Sequence, residues 1–156
     1  MKYKSFDHMN CSLAQTLTII GERWTLLILR DAFFGAKRFG QFERSLGIAK
    51  NILSARLNML VDEGIMARRE SSKGAHAEYV LTERGLDLHP VLLSMTHWGD
   101  RHRPNVDGAR ITFVERENGQ PIRRMSATSK DGRTLHPREI RAMAGPALKE
   151  PPGWNG

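Results

Sequence analysis

The 156-residue sequence predicts an α+β fold that is mainly α. Four successive segments before residue 64 carry apolar side chains at helical spacing. After Gly64 the pattern changes to two short strand-like pieces, "IMARRE" and "YVLTERG", and Thr82 then begins a long helical segment. The chain is long enough for one domain of ~100 to 150 residues with its own core and a small appendage.

The first two helices differ in how much of their surface is apolar. In "SLAQTLTIIG", Leu13, Leu17 and Ile20 recur at helical spacing, which predicts one buried face, and Ser12 is placed to cap the helix. "ERWTLLILRDAFFG" is apolar on nearly every side and ends at Gly35. A helix of that kind belongs at the centre of a core.

The third and fourth helices are separated by a very short connection. "KRFGQFERSLG" has an apolar stripe and ends at Gly47, and "IAKNILSARLNMLVDEG" begins almost at once. About three residues therefore join the two helices, which is the helix-turn-helix arrangement.

The fourth helix has two different faces. At about 100° per residue, Leu53, Leu57 and Leu60 fall within one narrow arc that we expect to face the core. The opposite face carries small or polar side chains: Asn51, Ser54, Ala55, Asn58 and Asp62. Such side chains let a helix enter the major groove of DNA, where amides and hydroxyls bond base edges and an alanine contacts a thymine methyl.

Two basic residues flank this face. Lys50 near the helix start is positioned for a phosphate or a guanine, and Arg56 on the flank can reach a backbone phosphate. The alternative is that this is only the solvent face of an amphipathic helix, because helix-turn-helix geometry also occurs in proteins that bind no DNA.

The predicted hairpin is basic. Its candidate DNA contacts, together with Arg38 ahead of the third helix, are Arg68, Arg69, Lys73 and His76. A basic hairpin beside a recognition helix can act as a wing that grips the adjoining backbone or minor groove. Solvated surface charge is the alternative for each residue. The net charge of +7 favours a polyanionic partner, with nucleic acid first and an anionic membrane surface second.

Several stretches together resemble one known family. They are Cys11 ahead of the first helix, "GERWTLLIL", "RFGQFERSLGIAKNILSARLNMLVDEGI", "YVLTERG" and "LHPVLLSMTHWG". In this order and spacing they resemble the HxlR-type winged helix-turn-helix transcriptional regulators, distant relatives of the MarR regulators, over about residues 11 to 104. The wing departs from the family, because "GAHAEY" lacks the proline that usually precedes the tyrosine.

The resemblance implies a homodimeric DNA-binding regulator, usually a repressor, that binds a pseudo-palindromic operator with half-sites about one helical turn apart. It implies dimerisation through the terminal helices, where the candidate residues are Leu88, Leu92, Met95 and Trp98. A core role for the same side chains is the compatible alternative. Pro90 predicts a kink in this long helix, or a break with the helix restarting there.

The expected organisation has three parts: an arm over 1–10, the winged helix-turn-helix and dimerisation domain over 11–109, and a small β-containing extension over 110–156. The part from Ile111 to Pro146 resembles family extensions that carry a glycine-punctuated, cysteine-containing ribbon. The corresponding positions here are Asn118, Thr128 and Asp131, so we expect no metal. The Asn118-Gly119 pair predicts a turn of a small hairpin. The basic extension either contacts DNA beside the operator or packs on the dimer.

Cys11 is a candidate redox sensor, because in several family members the cysteine at this position reacts with oxidants or electrophiles and changes DNA affinity. A thiol beside a helix N-terminus carries more of the reactive thiolate. The alternative is a small buried hydrophobic residue. As the single cysteine, Cys11 could form a bond only with Cys11 of a second chain or a mixed adduct with a small molecule.

An enzyme is not expected. The sequence has no HExxH, GxSxG, Walker or dinucleotide-binding motif, which gives no catalytic residue and no cofactor. His97 and His102 near Asp100 lack a further ligand at a suitable spacing, so surface histidines are favoured over a metal site. An adaptor that uses the winged helix for protein contacts is the other alternative. With no apolar run of ~20 residues and no secretory signal, we expect a cytoplasmic protein.

Overall fold

The computed structural model describes residues 6–70 and 76–148, and it confirms an α+β fold that is mainly helical. Among these residues, a 3-10 turn at Pro137–Glu139 follows the regular elements. In chain order these are α1 (Ser12–Ile20), α2 (Arg23–Phe33), α3 (Phe39–Leu46), α4 (Lys50–Asp62), β1 (Met66–Glu70), β2 (Ala77–Leu81), α5 (Glu83–Leu86) and α6 (His89–His102).

The chain divides into two compact units, Met1–Leu92 and Leu93–Gly156, and the division falls within α6. The first unit contains the helix-turn-helix and the hairpin. The three-part organisation predicted from the sequence, with bounds at 1–10, 11–109 and 110–156, stays a prediction. No helix of the described residues has the length and apolar character needed to span a membrane.

α2 lies at the centre of the first unit, as its sequence predicts. It packs against α1, α3, α4 and β2, and Ile28 and Leu29 have no exposed surface. The helix begins after Glu22, whose carboxylate accepts a hydrogen bond of 2.9 Å from the backbone N–H of Trp24. This cap satisfies one of the free N–H groups of the first turn.

α1 differs from its prediction in two ways. Cys11, and not Ser12, is the N-cap, because the Cys11 carbonyl already accepts the hydrogen bond from the Gln15 N–H. The apolar face is also only partly buried: Ile20 joins the core, whereas Leu13 and Leu17 are 67% and 41% exposed. Helical spacing predicts an apolar face, and within one chain that face is buried at Ala14 and Ile20 but exposed at Leu13 and Leu17.

The connection between α3 and α4 has the predicted length. Gly47 ends α3 in the left-handed conformation, with φ of 59°, which a glycine adopts without a steric cost. Ile48 is buried in the core, Ala49 caps α4, and α4 begins at Lys50. The helix-turn-helix expected from the sequence is thus confirmed.

β1 and β2 form the predicted antiparallel hairpin, in which Arg68 pairs with Tyr79. Residues 71–75 between the strands, and with them the candidate Lys73, lie outside the described residues. The free edge of β2 also pairs with the residues just before α3, since the Tyr79 N–H donates to the Lys37 carbonyl at 2.7 Å. This contact fixes the hairpin beside the helix-turn-helix.

The long segment after Thr82 contains two helices, so the predicted break is confirmed. α5 ends at Leu86 and α6 begins at His89. Pro90 is thereby the second residue of α6, where its missing N–H is not needed. The Thr82 hydroxyl caps α5 by accepting a hydrogen bond of 3.2 Å from the Gly85 N–H.

In the second unit the chain after α6 forms two tight turns that we call the ribbon, residues 113–135. The predicted hairpin at Asn118-Gly119 is present as a single β-bridge between Val114 and Pro121. Proline has no N–H to extend a ladder, which is one reason that no regular strand follows. A second bridge joins Thr128 and Thr134 around a turn at Gly132.

Candidate nucleic-acid interface

The structure gives α4 the two faces predicted from its sequence. Leu53, Leu57 and Leu60 have no exposed surface and lie in the core of the first unit. The predicted DNA-facing residues are all exposed: Lys50, Asn51, Ser54, Ala55 and Asn58. A buried leucine contributes ~1.5 to 3 kcal/mol, so three of them fix which side of the helix faces outward.

Ile52 is an exposed residue of α4 that the sequence analysis did not single out. It is 38% exposed and lies on the flank of the small polar face. Its apolar character resembles that of the core positions, but it lies outside the narrow arc of the three leucines.

The predicted phosphate contact Arg56 lies in the middle of α4, on the flank between its two faces. Its side chain is about one-third exposed, and its Nε lies 3.4 Å from Oε2 of Glu22, the carboxylate that caps α2. This ion pair lacks hydrogen-bond geometry, because Nε makes no hydrogen bond. Arg56 therefore links the recognition helix to the N-terminus of α2 in the free protein.

Lys50 remains available to a ligand. Its Nζ lies 3.8 Å from a Glu43 oxygen, but the lysine side chain is 77% exposed. An exposed pair at that distance contributes little to stability and can exchange for a phosphate.

The hairpin presents its two arginines on opposite faces. Arg68 and Arg69 are neighbours in β1, and successive side chains of a strand alternate in direction. Arg69 pairs with Glu78, and Glu78 also lies 3.6 Å from the Nε of Arg38. Arg68 shares the other face with Tyr79. One face thus contains a partly neutralised set of charges and the other a guanidinium beside a phenol.

A cleft of about 640 Å³ lies between the start of α3 and the hairpin. It brings together three predicted contacts, Arg38, Arg68 and His76, with a further arginine that the sequence analysis missed, Arg44. Arg44 lies one turn after Gly40 on α3. Helical spacing relates Arg44 to Gly40 and not to Arg38, and nothing in the sequence predicts that the hairpin packs opposite.

Cys11 is exposed at the N-terminus of α1. The alternative of a small buried hydrophobic residue is therefore wrong for the single chain. Its reactivity stays a prediction.

The four candidate dimerisation residues fall into two pairs. Leu88 and Leu92 are partly buried and pack against the core of the first unit. Met95 and Trp98, in the second unit, are 51% and 63% exposed. Leu88 and Leu92 therefore have the core role that was the alternative to dimerisation. Met95 and Trp98 are accessible to a partner chain.

The histidines considered for a metal site have other neighbours. His97 Nδ1 accepts a hydrogen bond of 3.4 Å from the Met125 N–H, and the His102 ring lies 4.9 Å from that of Trp98. Within residues 6–70 and 76–148 no three His, Cys, Asp or Glu side chains are grouped to hold a metal ion.

Comparison with known proteins shows one consistent relationship. An uncharacterized HTH-type transcriptional regulator of Mycobacterium tuberculosis is 40% identical over 139 residues, which is 88% of each chain. The solved structure of PA1607, a protein proposed to be a transcription factor, superposes with a TM-score of 0.84 at 40% identity, covering 91% of this chain and 100% of that one.

The redox regulator HypR in its reduced form is similar over a shorter region. It matches with a TM-score of 0.56 at 33% identity, covering 60% of this chain and 94% of its own. Each of these three is a regulator or a transcription factor, and none is an enzyme. The family model described as "HxlR-like helix-turn-helix" matches residues 19–107, more than half of the length, and the chain belongs to this family of transcriptional regulators.

Proposed function

We propose that the protein is a sequence-specific DNA-binding transcriptional regulator that acts as a repressor on a pseudo-palindromic operator. The observation that carries this proposal is the exposed face of small polar residues on α4, opposite three fully buried leucines and beside a basic hairpin. The proposed role places the protein in the cytoplasm, where the chromosome is.

The residues have different tasks in this proposal. Asn51, Ser54 and Asn58 bond base edges in the major groove, and Ala55 contacts a thymine methyl. Lys50 binds a phosphate or a guanine. The contacts to the DNA backbone are made by Arg38, Arg56, Arg68, Arg69, Lys73 and His76.

Two-fold symmetry supplies the second recognition helix. In this proposal a homodimer forms through the apolar side chains that one chain leaves exposed, Leu13 and Leu17 on α1 and Met95 and Trp98 on α6. A two-fold dimer presents equal surfaces to the two halves of an operator, whose centres then lie ~34 to 36 Å apart.

Cys11 is the proposed point of redox control. Its exposure supports this role, and HypR, a redox regulator, has been solved in reduced and oxidised forms. Two Cys11 thiols of a dimer would each give up one electron and one proton to diamide and form a disulfide. That bond would change the spacing of the two recognition helices. If Cys11→Ser binds the operator and still responds to diamide as the wild type does, this part of the proposal is wrong.

The main experiment is a footprint of the purified protein on the promoter of its own gene and of the neighbouring divergent gene. Asn51→Ala should cost ~1 to 3 kcal/mol at one base position and relax specificity there. Arg69→Ala should weaken binding to all sequences together and reduce the salt slope by about one. Arg84→Gln, an exposed arginine of α5, is the control that should change neither.

Two results would contradict the proposal. Lys50→Glu combined with Arg69→Glu should abolish DNA binding, so full retention would overturn it. A protein-binding adaptor would show no log-linear loss of duplex affinity with salt, whereas contacts to phosphates require such a loss.

A further inference from the structure

We propose that the cleft between α3 and the hairpin binds a small organic oxyanion, a carboxylate or a phosphate monoester with an aromatic body, and that this ligand competes with DNA. The competition rests on the proposed contacts of Arg68 and His76 with the DNA backbone. The ligand site itself rests on the cleft alone.

The size of the cleft fits a small molecule. Its volume of about 640 Å³ lies within the ~300 to 1,000 Å³ typical of ligand pockets. A single phosphate group of a DNA backbone would occupy only a small part of it. The remaining space suits a ligand with a ring-sized body attached to its charged group.

The charges of the cleft fit an oxyanion. Within the described part of the chain, Arg44 and Arg68 have no carboxylate at ion-pair distance, whereas Arg38 lies 3.6 Å from Glu78 and Arg56 lies 3.4 Å from Glu22. A guanidinium without a carboxylate partner can bind both oxygens of a carboxylate or phosphate. The first turn of α3 borders the same space, with the positive end of the helix dipole.

The aromatic residues of the cleft fit the body of the ligand. Phe39 and Tyr79 both line it. Tyr79 is only 8% exposed, so it forms part of the wall of the cleft. Because Arg68 and Tyr79 are paired across the two strands, both can reach one oxyanion.

The same residues cannot serve two anions at once. A ligand bound to Arg68 and His76 occupies a guanidinium and an imidazole of the hairpin surface that the operator needs. Ligand affinity and operator affinity are then coupled, and each lowers the other by the same factor. The cleft is thereby a site through which a small molecule would release the regulator from DNA.

The first test is calorimetry of the full-length protein without DNA. Phenyl phosphate and benzoate are the probes. Inorganic phosphate is the control that lacks the aromatic ring, and benzyl alcohol is the control that lacks the charge. We expect both aromatic anions to bind. Inorganic phosphate should bind more weakly, and benzyl alcohol should not bind. Failure of both aromatic anions to bind, or equal binding of benzyl alcohol, overturns the site.

The second test uses matched arginine variants. Arg44→Gln should weaken phenyl phosphate binding about tenfold or more, the effect of losing a charged hydrogen bond. Operator affinity of Arg44→Gln without ligand is measured in parallel and is the baseline for this variant in the third test. Arg84→Gln, outside the cleft, should behave as the wild type. Circular dichroism verifies that both variants are folded, and equal ligand affinity of the two would overturn the assignment.

The third test separates this inference from the proposed function. Operator binding is titrated with phenyl phosphate at an ionic strength held constant with sodium chloride, so that counterion effects are equal. Operator affinity should fall in the wild type and not in Arg44→Gln. Ligand binding with no change in operator affinity overturns the competition. If the protein binds phenyl phosphate but binds no duplex, the cleft site stands and the DNA-binding proposal is overturned.

Discussion

α4 and the ribbon belong to different compact units and are held in place by different interactions. The leucines of α4 lie fully buried in a continuous apolar core. No described residue between 105 and 148 is buried, and the ribbon is held by backbone hydrogen bonds around turns at Gly119 and Gly132. We infer that α4 unfolds only when the whole first unit unfolds, whereas the ribbon opens locally with a lower free energy of opening.

This difference matters for function. A helix that reads base edges must keep its angular position, because a turn of the helix about its axis would replace Asn51 by an apolar side chain. Burial of leucines on one side supplies that constraint. The ribbon has no comparable constraint, so its surface can change conformation when it contacts a partner.

The largest expected effect comes from removing a core leucine. Leu57→Ala deletes methyl groups from a position with no exposed surface, which should lower the free energy of unfolding by ~2 to 5 kcal/mol. The matched variant Ile140→Ala, at a 49% exposed position of the second unit, should change it by less than ~0.5 kcal/mol. Urea denaturation followed by circular dichroism measures both, and similar effects would contradict the comparison.

A second large effect is expected at Gly85. A Cβ there would lie 2.2 Å from the carbonyl oxygen of Ile65, a backbone atom that cannot move aside easily. Gly85→Ala should cost ~1 to 3 kcal/mol. Gly99→Ala in α6 is the control, since a Cβ meets no atom within 4 Å there and alanine favours a helix by ~0.5 to 1 kcal/mol. Thermal denaturation of both variants tests this, and a stable Gly85→Ala protein would contradict it.

The elements of the first unit could be predicted because their signals are local. Apolar spacing gives the four helices, Gly47 gives the turn, and Pro90 gives the break between α5 and α6. The exposure of Leu13 and Leu17 could not be predicted in this way. Spacing indicates that a face is apolar, and only the surrounding structure decides whether that face is covered within the same chain.

The candidate site was predictable in part for the same reason. The exposed face of α4 follows from its period. The pairing of Lys37 with Tyr79, and with it the cleft around Arg44, depends on contacts between segments far apart in the sequence. The partner of Arg56 likewise depends on how α4 packs on α2.

A smaller effect is expected where α4 meets α2. Glu22 both caps α2 and pairs with Arg56, and the two roles can be separated. Glu22→Gln keeps an oxygen for the cap and removes the charge. It should cost only ~0.2 to 1 kcal/mol, because this partly buried pair lacks hydrogen-bond geometry. Glu22→Ala also removes the cap and should cost a further ~0.5 to 2 kcal/mol. Urea denaturation would contradict this if both variants lost the same free energy.

The smallest effect is expected in the second unit on acidification. Glu139 accepts a hydrogen bond from the His136 N–H at 2.7 Å and pairs with Arg133 at 2.9 Å, and these contacts, in that order, lower the pKa of its carboxyl. Because the pKa is lower in the folded state, this contribution is complete above the ordinary carboxyl range. It is lost as the pH falls through the lowered value.

Acidification below about pH 4, the ordinary range of a glutamate, should therefore open the turn at Pro137–Glu139 before the first unit unfolds. The amide NMR signal of His136 should titrate in the wild type and lose that transition in Glu139→Gln. The amide of Leu57, inside the core, should not shift in the same range. A His136 signal that titrates equally in both proteins would show that another carboxyl controls the turn, and a Leu57 signal that moves with it would show that the two regions do not differ in local stability.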